Sequence, residues 1–467
     1  MPVMKFGGSS VADAQKISNA TGIIAAAAEK IKKSENAKPP VVVVSAMKGV
    51  TDMLINAASS AENGGSSYKE ILDGLKEKHH NAIEKLLTKK KEKNILIEEI
   101  NALLSELSEI LHGVELVREC SPRTNDFISG FGERLSSKII AAHLKDCGIK
   151  AVAVDAREII RTDNNHGRAA VDFKETERLT RAKLSDRDYI AVVTGFIAST
   201  ADGVATTLGR NGSDYTASIL GAALNEKTVE IWTDVDGILT ADPRIVPDAK
   251  VIDEISFQEA MELSYFGAEV IHPYTLLPAM EKNIPVFIKN TMNPSAPGTR
   301  IAKDVKPKNR PITGIASIDN VSMVTIEGGG MVGMPGIAGR IFSSVANAGA
   351  NIIMISQASS EHSICLVCRE EDSRKAASAL KKDLNDALSG GIIRNINLDH
   401  NLEIVAVIGE NMKGHVGLSG KLFSALGNAG VNILAIAQGS TELNISFVIE
   451  GSKKKNAISA IHKSFIG

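Results

Sequence analysis

The segment Met331–Phe342, Met-Val-Gly-Met-Pro-Gly-Ile-Ala-Gly-Arg-Ile-Phe, returns without a gap as Met412–Phe423, Met-Lys-Gly-His-Val-Gly-Leu-Ser-Gly-Lys-Leu-Phe. The match runs on through Asn347–Ile352 and Asn428–Ile433, then pairs Gln357 with Gln438 and Glu361 with Glu442. About 17 of roughly 38 aligned positions are identical, which marks a duplication. Each copy reads as strand, glycine-rich turn, helix and two strands. The C-terminal third is therefore constrained to two copies of one small α+β module.

Upstream the pattern is different. From residue 1 to about 300, apolar β-rich runs alternate with helical stretches. Val3–Phe6, Val41–Val44, Ala151–Val154, Ile190–Val193, Val229–Trp232 and Val286–Ile288 predict buried strands, and Ser136–Cys147 and Tyr215–Leu224 predict helices. Such alternation specifies an α/β layer fold, a largely parallel sheet between helices, with ligands at the carboxyl ends of the strands. Residues 67–119 depart from it: Ile83, Leu86, Leu87, Leu103, Leu104, Leu107, Ile110 and Leu111 have helical spacing, which predicts a helical insertion. The basic run Lys89-Lys90-Lys91 within it reads as solvated helix surface. A break at Asn293-Pro-Ser-Ala-Pro-Gly-Thr299 sets expected domains of 1–305 and 306–467, the latter with repeat units at about 323–397 and 398–467.

Bulk properties narrow the function. A chain of 467 residues exceeds one ordinary core. A formal net charge of −2 gives no basis for nucleic-acid or anionic-membrane binding. No secretory signal or membrane-spanning run is read, so a cytoplasmic location is expected. Cys365 and Cys368 form a C-x-x-C, but in a strand that spacing points them to opposite faces, which suits buried thiols better than a metal site.

Five polar segments carry candidate chemistry. Lys5-Phe-Gly-Gly-Ser-Ser10 is a strand end, a glycine turn and a helix start; glycine amides can approach phosphate oxygens and Lys5 can supply a point charge. Alone it is also a plain β-to-α turn, and it is no Walker-type loop. Ser45 and Thr51 offer hydroxyls at a strand end and helix start, where Thr51 or Asp52 could equally be an N-cap. Glu133, after Gly130-Phe-Gly132, could hold an ammonium group; beside Arg134 it could also be simple capping. In Leu208-Gly-Arg-Asn-Gly-Ser-Asp214, Arg210 suits bidentate grip of a carboxylate, and Asp214 fits a phosphate site if it orients Lys5 or a magnesium ion. Trp232-Thr-Asp-Val-Asp-Gly237, followed by Asp242-Pro-Arg244, could meet a nucleotide or form an ordinary turn. His272, before Pro273, has no paired nucleophile or acid nearby and reads as structural.

In this order the segments closely resemble the aspartokinase family of the amino-acid kinase superfamily over nearly the whole chain. The resemblance rests on Lys5–Ser10, Val44–Met47 with Thr51, Phe131–Ser136, Thr207–Asp214, Trp232–Val235, Ala241–Arg244, and Phe266–Ala268 with His272-Pro273. It implies an amino-acid kinase fold followed by two ferredoxin-like ACT modules, the first inserted within the second so that 306–322 completes the C-terminal copy. It implies MgATP-dependent phosphorylation of the β-carboxylate of L-aspartate, first step toward lysine, threonine and methionine.

By resemblance, Arg210 grips the substrate α-carboxylate, Glu133 meets the α-amino group, and Thr51 and Ser213 help fix the acid. Lys5 stabilises charge on the transferring phosphoryl group, with Asp214 orienting Lys5 or magnesium. Gly7 and Gly8 face phosphates, and Thr233, Asp234 and Arg244 belong to the nucleotide side. Mg2+ is held mainly by the ATP phosphates rather than by side chains. Effector contacts fall on Met331, Gly333, Gly336, Asn351, Ile352 and Gln357, and on Asn432, Ile433 and Gln438, with threonine expected over lysine. The ACT modules are expected to build a homodimer, which could pair into a tetramer, and no fused homoserine dehydrogenase is expected after Gly467. Three positions depart from the family pattern: Asn211 replaces a glycine, Glu269 a lysine near the nucleotide, and Leu239 an aromatic residue. Another amino-acid kinase, acting on glutamate or N-acetylglutamate, and a non-catalytic amino-acid sensor are the competing readings.

Overall fold

The computed structural model describes residues 2–32, 38–267, 271–306, 310–359 and 362–467; Glu269 and Glu361 lie outside them. The chain forms two compact units. One comprises Met1–Ile238, Asp253–Phe257 and Val270–Val305, and the other Leu239–Ile252, Gln258–Glu269 and Lys306–Gly467.

Among the described residues the first unit holds ten strands: β1 (Pro2–Phe6), β2 (Val41–Val44), β3 (Ala151–Val154), β4 (Ile190–Thr194), β5 (Ile197–Ser199), β6 (Ala205–Thr207), β7 (Thr228–Thr233), β8 (Glu254–Ser256), β9 (Val286–Asn290) and β10 (Thr299–Ala302). Eight form one sheet in the order β3-β4-β2-β1-β7-β9-β10-β8, while β5 and β6 make a separate hairpin. Every neighbouring pair in the large sheet is parallel except β9 with β10. β2 and β4 are buried at every position, as unbroken apolar runs must be when helices cover both faces. Phe6 is in register with Val44 on one side and Trp232 on the other, so Gly7, Ser45 and Thr233 leave the sheet from one edge. The strand order reverses at β1, and a crevice at such a switch point is where α/β sheets bind ligands.

Residues 67–117 form two long helices, Ser67–Leu86 and Lys90–Val117. They bury Leu75, Ile83, Ile100 and Leu107 in the main core of this unit. The lysine run at their junction is exposed. The helix expected from Ser136 begins earlier, at Phe131, and is preceded by a short helix, Pro122–Ser129, capped by Ser121. The missed signal was Ser121-Pro122, an N-cap followed by proline in the first turn. Glu133 therefore stands inside a first helical turn, not ahead of it.

The second unit contains one antiparallel sheet of β11 (Gly314–Glu327), β12 (Ile352–Gln357), β13 (Ser363–Arg369), β14 (Asn395–Ile408), β15 (Ala435–Ala437) and β16 (Asn444–Glu450), in the order β12-β13-β11-β14-β16-β15. The two central strands are twice as long as the others because each serves both copies of the repeat. Gly314–Ile318 pairs with Ile404–Ile408, whereas Val321–Glu327 pairs with β13 and with the first half of β14. The register breaks between the halves, where Asn320 and Asn401 take left-handed φ values of 55° and 57°. These two asparagines are equivalent in the repeat, so the kink is duplicated with the module. Each copy closes its own core, one around Ile326, Ile341, Leu366 and Leu380, the other around Val405, Leu422, Phe447 and Ile461. Among the described residues no helix is long and apolar enough to cross a membrane.

Two glycines of the repeat test this close packing. A Cβ on Gly328 would lie 2.1 Å from the Ile392 carbonyl oxygen, and one on Gly409 2.2 Å from that of Pro311. Gly420, inside the helix Leu418–Asn428, has open space instead. Gly328→Ala and Gly409→Ala are each expected to cost about 1–3 kcal/mol. Gly420→Ala should stabilise by up to about 1 kcal/mol. Chemical denaturation of the three variants checks both signs.

Candidate active site

Lys5 lies next to last in β1 and is buried with Asp214. Its Nζ stands 2.6 Å from Asp214 Oδ1, a contact that is ionic rather than a well-directed hydrogen bond. The ammonium lies over the following turn, 3.3 Å from where a Cβ on Gly7 would be, and a Cβ on Gly8 would come 3.1 Å from the Ala46 carbonyl oxygen. A side chain at position 7 would crowd the ammonium and one at position 8 the Ala46 carbonyl, which is the physical reason for two glycines. One expectation needs correction. The Gly7 N–H is already committed, donating to the Trp232 carbonyl at 3.1 Å. Gly8, which opens the 3-10 turn Gly8–Val11, is left as the glycine with an N-terminal amide.

Asp214 is supplied by the helix Gly212–Leu224. Its N-cap, Asn211, has φ 53°, a conformation asparagine tolerates better than most residues, so the turn keeps its shape without the glycine. Ser213 is buried in the first turn, so close to Gly195 that a Cβ on that glycine would sit 2.5 Å from Ser213 Oγ. The next residue, Phe196, went unnoticed in the sequence. Its φ of 67° is rare for a bulky side chain and is held in place by two contacts. Its N–H donates to Thr216 Oγ1 at 3.1 Å and its carbonyl accepts from Leu208 N–H at 2.9 Å. No composition or spacing signal marks such a residue. Arg210, at the head of this turn, is exposed and has no ion pair among the described residues.

Glu133 is buried, with Oε1 accepting from the Ala46 N–H at 3.0 Å and Oε2 unpartnered. Burial pushes its carboxyl up to about 8, against the pull of the Ala46 amide, its own amide and the Lys5 charge. Gly132 permits this approach, since a Cβ there would lie 2.5 Å from that of Ala46. Ser136 Oγ adds a bond to the Ser45 carbonyl at 2.7 Å. Arg134 serves packing: it pairs with Glu106 at 2.9 Å and lies over the Phe131 ring at 4.5 Å. Thr51 sits half-buried in the first turn of the helix Val50–Glu62, whose N-cap is Gly49, so neither Thr51 nor Asp52 is the cap.

On the other side of β1, Thr233 ends β7 and donates through Oγ1 to Asp234 Oδ1 at 3.2 Å. Asp236 is engaged by the Asn290 and Asn293 amides. Arg244 belongs to the second unit, where its guanidinium grips Asp242 at 2.8 to 3.0 Å. Leu239 falls in that unit too. Lys5 is thus in contact with Asp214 and the Gly7 turn, and its charge reaches Glu133. Among the described residues no group of three or more His, Cys, Asp or Glu side chains could hold a metal ion.

The proposed effector residues lie in the second unit. Met331 is buried in the core of the first copy, packed with Ile337 and Ile341, so its side chain fills the module rather than lining a surface. Gly333 and Gly336 have φ values of 64° and 90°, and their repeats Gly414 and Gly417 have 67° and 85°, so both loops share one backbone course. Asn351, Gln357, Asn432 and Gln438 are exposed, and Ile352 and Ile433 half-buried. Ser356 Oγ donates to the Ile436 carbonyl at 2.9 Å, tying β12 to β15 close to both glutamines.

Residues 1–290 match the model of the amino acid kinase family, and 324–384 and 405–465 each match an ACT domain. Aspartokinase 1, chloroplastic, of Arabidopsis thaliana is 36% identical over 476 residues, covering 99% of this chain and 80% of that one. The chain belongs to the aspartokinase family. A second relative, the bifunctional aspartokinase/homoserine dehydrogenase 1 of the same plant, is 38% identical over 99% of this chain. The chain spans about half, 51%, of that longer aspartokinase relative. Among solved aspartokinases, Escherichia coli aspartokinase III in complex with aspartate and ADP is 31% identical, with a TM-score of 0.82 and full coverage of both chains. The same enzyme with lysine and aspartate gives 0.78.

The Glu133 environment gives a test on the apoprotein. Its folded-state carboxyl titrates near 8, against an ordinary value of 4.5. Between these values the unfolded chain releases a proton that the folded chain keeps, so this residue costs stability as pH rises. Glu133→Gln removes the cost. Its melting temperature, relative to the unsubstituted protein, should rise between pH 5 and pH 8.5; a difference that stays constant with pH would contradict the assignment.

Proposed function

We propose that this chain transfers the γ-phosphoryl group of ATP to the β-carboxylate of L-aspartate, giving 4-phospho-L-aspartate. One observation carries the proposal: a buried lysine–aspartate pair lies within electrostatic reach of a buried glutamate whose second oxygen is unpartnered. Such a glutamate fits an α-ammonium group, which would supply the missing donor and favour the ionised form. Arg210 fits the α-carboxylate, with Ser213 and Thr51 offering hydroxyls to the acid. The substrate complexes of Escherichia coli aspartokinase III, with aspartate and ADP, support the same pair of ligands here.

A carboxylate nucleophile is ionised at neutral pH, so no general base is required. Rate acceleration then comes from positioning and from charge placed where it develops. Lys5 neutralises the transferring group, and Asp214 fixes the ammonium in place. The glycine turn suits phosphate oxygens, because side chains there would occupy the space around the ammonium. Thr233 and Asp234 suit the nucleotide side. When bound, Mg2+ would neutralise phosphate charge, held mainly by the phosphates, with Asp214 the side chain that would reach it. Lys5→Ala should lower kcat for aspartate-dependent ADP release about 10²- to 10³-fold. Phosphorylation of glutamate in place of aspartate would overturn the substrate assignment.

The duplicated modules read as an effector site that also joins two chains. Threonine is favoured over lysine because Gln357 and Gln438 offer a donor and an acceptor to a hydroxyl, and neither offers a charge to an ammonium side chain. Threonine is expected to inhibit ADP release, and Gln357→Ala or Gln438→Ala to raise its half-inhibitory concentration about tenfold, the loss of one side-chain hydrogen bond. Inhibition by lysine alone would reverse the assignment.

A further inference from the structure

One more guanidinium stands beside the Arg210 turn. Arg168 is exposed on the loop 163–170, and that loop is fixed from beneath. Asp126, buried in the helix Pro122–Ser129, accepts from Gly167 N–H at 3.0 Å and lies 2.9 Å from His166 Nδ1. The same carboxylate accepts from Thr207 N–H at 3.3 Å and Thr207 Oγ1 at 2.6 Å, and Ala169 N–H donates to the Thr207 carbonyl at 3.0 Å. Thr207 ends β6 and leads directly into Leu208-Gly209-Arg210. The segments bearing the two arginines therefore hang on one buried carboxylate.

They also touch. Gly209 has φ 77°, and a Cβ there would lie 3.3 Å from the Gly167 carbonyl oxygen and 3.7 Å from Arg168 Cγ. The Arg168 guanidinium sits 5.6 Å from the Tyr274 ring centre, and Tyr274 stacks on His272 at 5.7 Å. Burial first, then the charges of Arg168 and Arg210, lower the His272 imidazole below its ordinary range. Arg168 thus lies beside the Tyr274–His272 stack, and neither arginine has an ion pair among the described residues. Like charges held on a fixed scaffold without a counter-ion are arranged for an anion supplied from outside.

We infer that Arg168 is a specificity-determining residue that reads the substrate α-carboxylate together with Arg210. The inference rests on the aspartate kinase reading above. Arg210 offers one guanidinium fork to the carboxylate, and Arg168, braced on Tyr274, offers a second. An acid that keeps the β-carboxylate but lacks the α-charge would leave two guanidiniums unpaired and be rejected.

The test is steady-state kinetics of the full chain with L-aspartate and with L-isoasparagine, its α-carboxamide, for the unsubstituted enzyme, Arg168→Ala and Arg168→Lys. Arg168→Ala should raise KM for aspartate about 10- to 100-fold, the range of charge-assisted hydrogen bonds, and leave kcat within about threefold and KM for ATP unmoved. Its preference for aspartate over isoasparagine should fall by the same factor, and Arg168→Lys should recover part of it. The melting temperature should not change, since the side chain is exposed. An unchanged KM for aspartate and unchanged preference in an active Arg168→Ala enzyme would overturn the inference alone, as would a rise confined to KM for ATP. Absence of aspartate-dependent turnover in the unsubstituted enzyme would overturn both this inference and the function on which it rests.

Discussion

A lysine and an aspartate buried together at 2.6 Å form the contact around which the first unit is arranged. Removing two charges from water is costly, and the attraction between them offsets that cost only when their geometry is fixed. The sheet and one helix fix it from two directions. β1 has strands hydrogen-bonded on both sides and cannot slide, and the helix Gly212–Leu224 enters through the left-handed Asn211 with Asp214 in its first turn. The glycines at 7, 8, 132 and 195 are explained by the same need for close approach, each keeping a Cβ out of a space that the site uses.

Much of this was legible in the sequence because the chemistry is concentrated in short runs at strand ends. The buried strands β2, β4 and β7 announced themselves as apolar runs, and the repeat announced the second unit. What could not be read has a common cause: it depends on contacts across the chain. Phe196 adopts its strained backbone only because Thr216 and Leu208 hold it. Asp126 reads as one more helical acid until residues 166, 167 and 207 are folded onto it. Gly7 reads as a phosphate-facing amide until its N–H is found closing β1 onto β7. Met331 stands in a loop motif yet points inward, because a short 3-10 turn follows Gly328 and directs its side chain to the core.

The charged side chains singled out above differ sharply in exposure. Lys5, Asp214 and Glu133 are buried, where electrostatic interactions are strong and a misplaced group would be severe. Arg210 and Arg168 are exposed, where long side chains can meet an incoming anion before it is desolvated.

The long strands β11 and β14 have a consequence for the order in which the second unit is made. Gly314–Ile318 leaves the ribosome well before Ile404–Ile408, the segment it pairs with, and the whole first copy of the repeat lies between them. The first copy can gather its strands once Leu398 has been synthesised, while the second must wait until β16 is complete to enclose a core. During that interval Gly314–Ile318 is a strand edge without its partner, the kind of surface through which nascent chains associate wrongly. Sharing strands between copies thus joins them mechanically and makes the N-terminal edge of the module its last part to be protected.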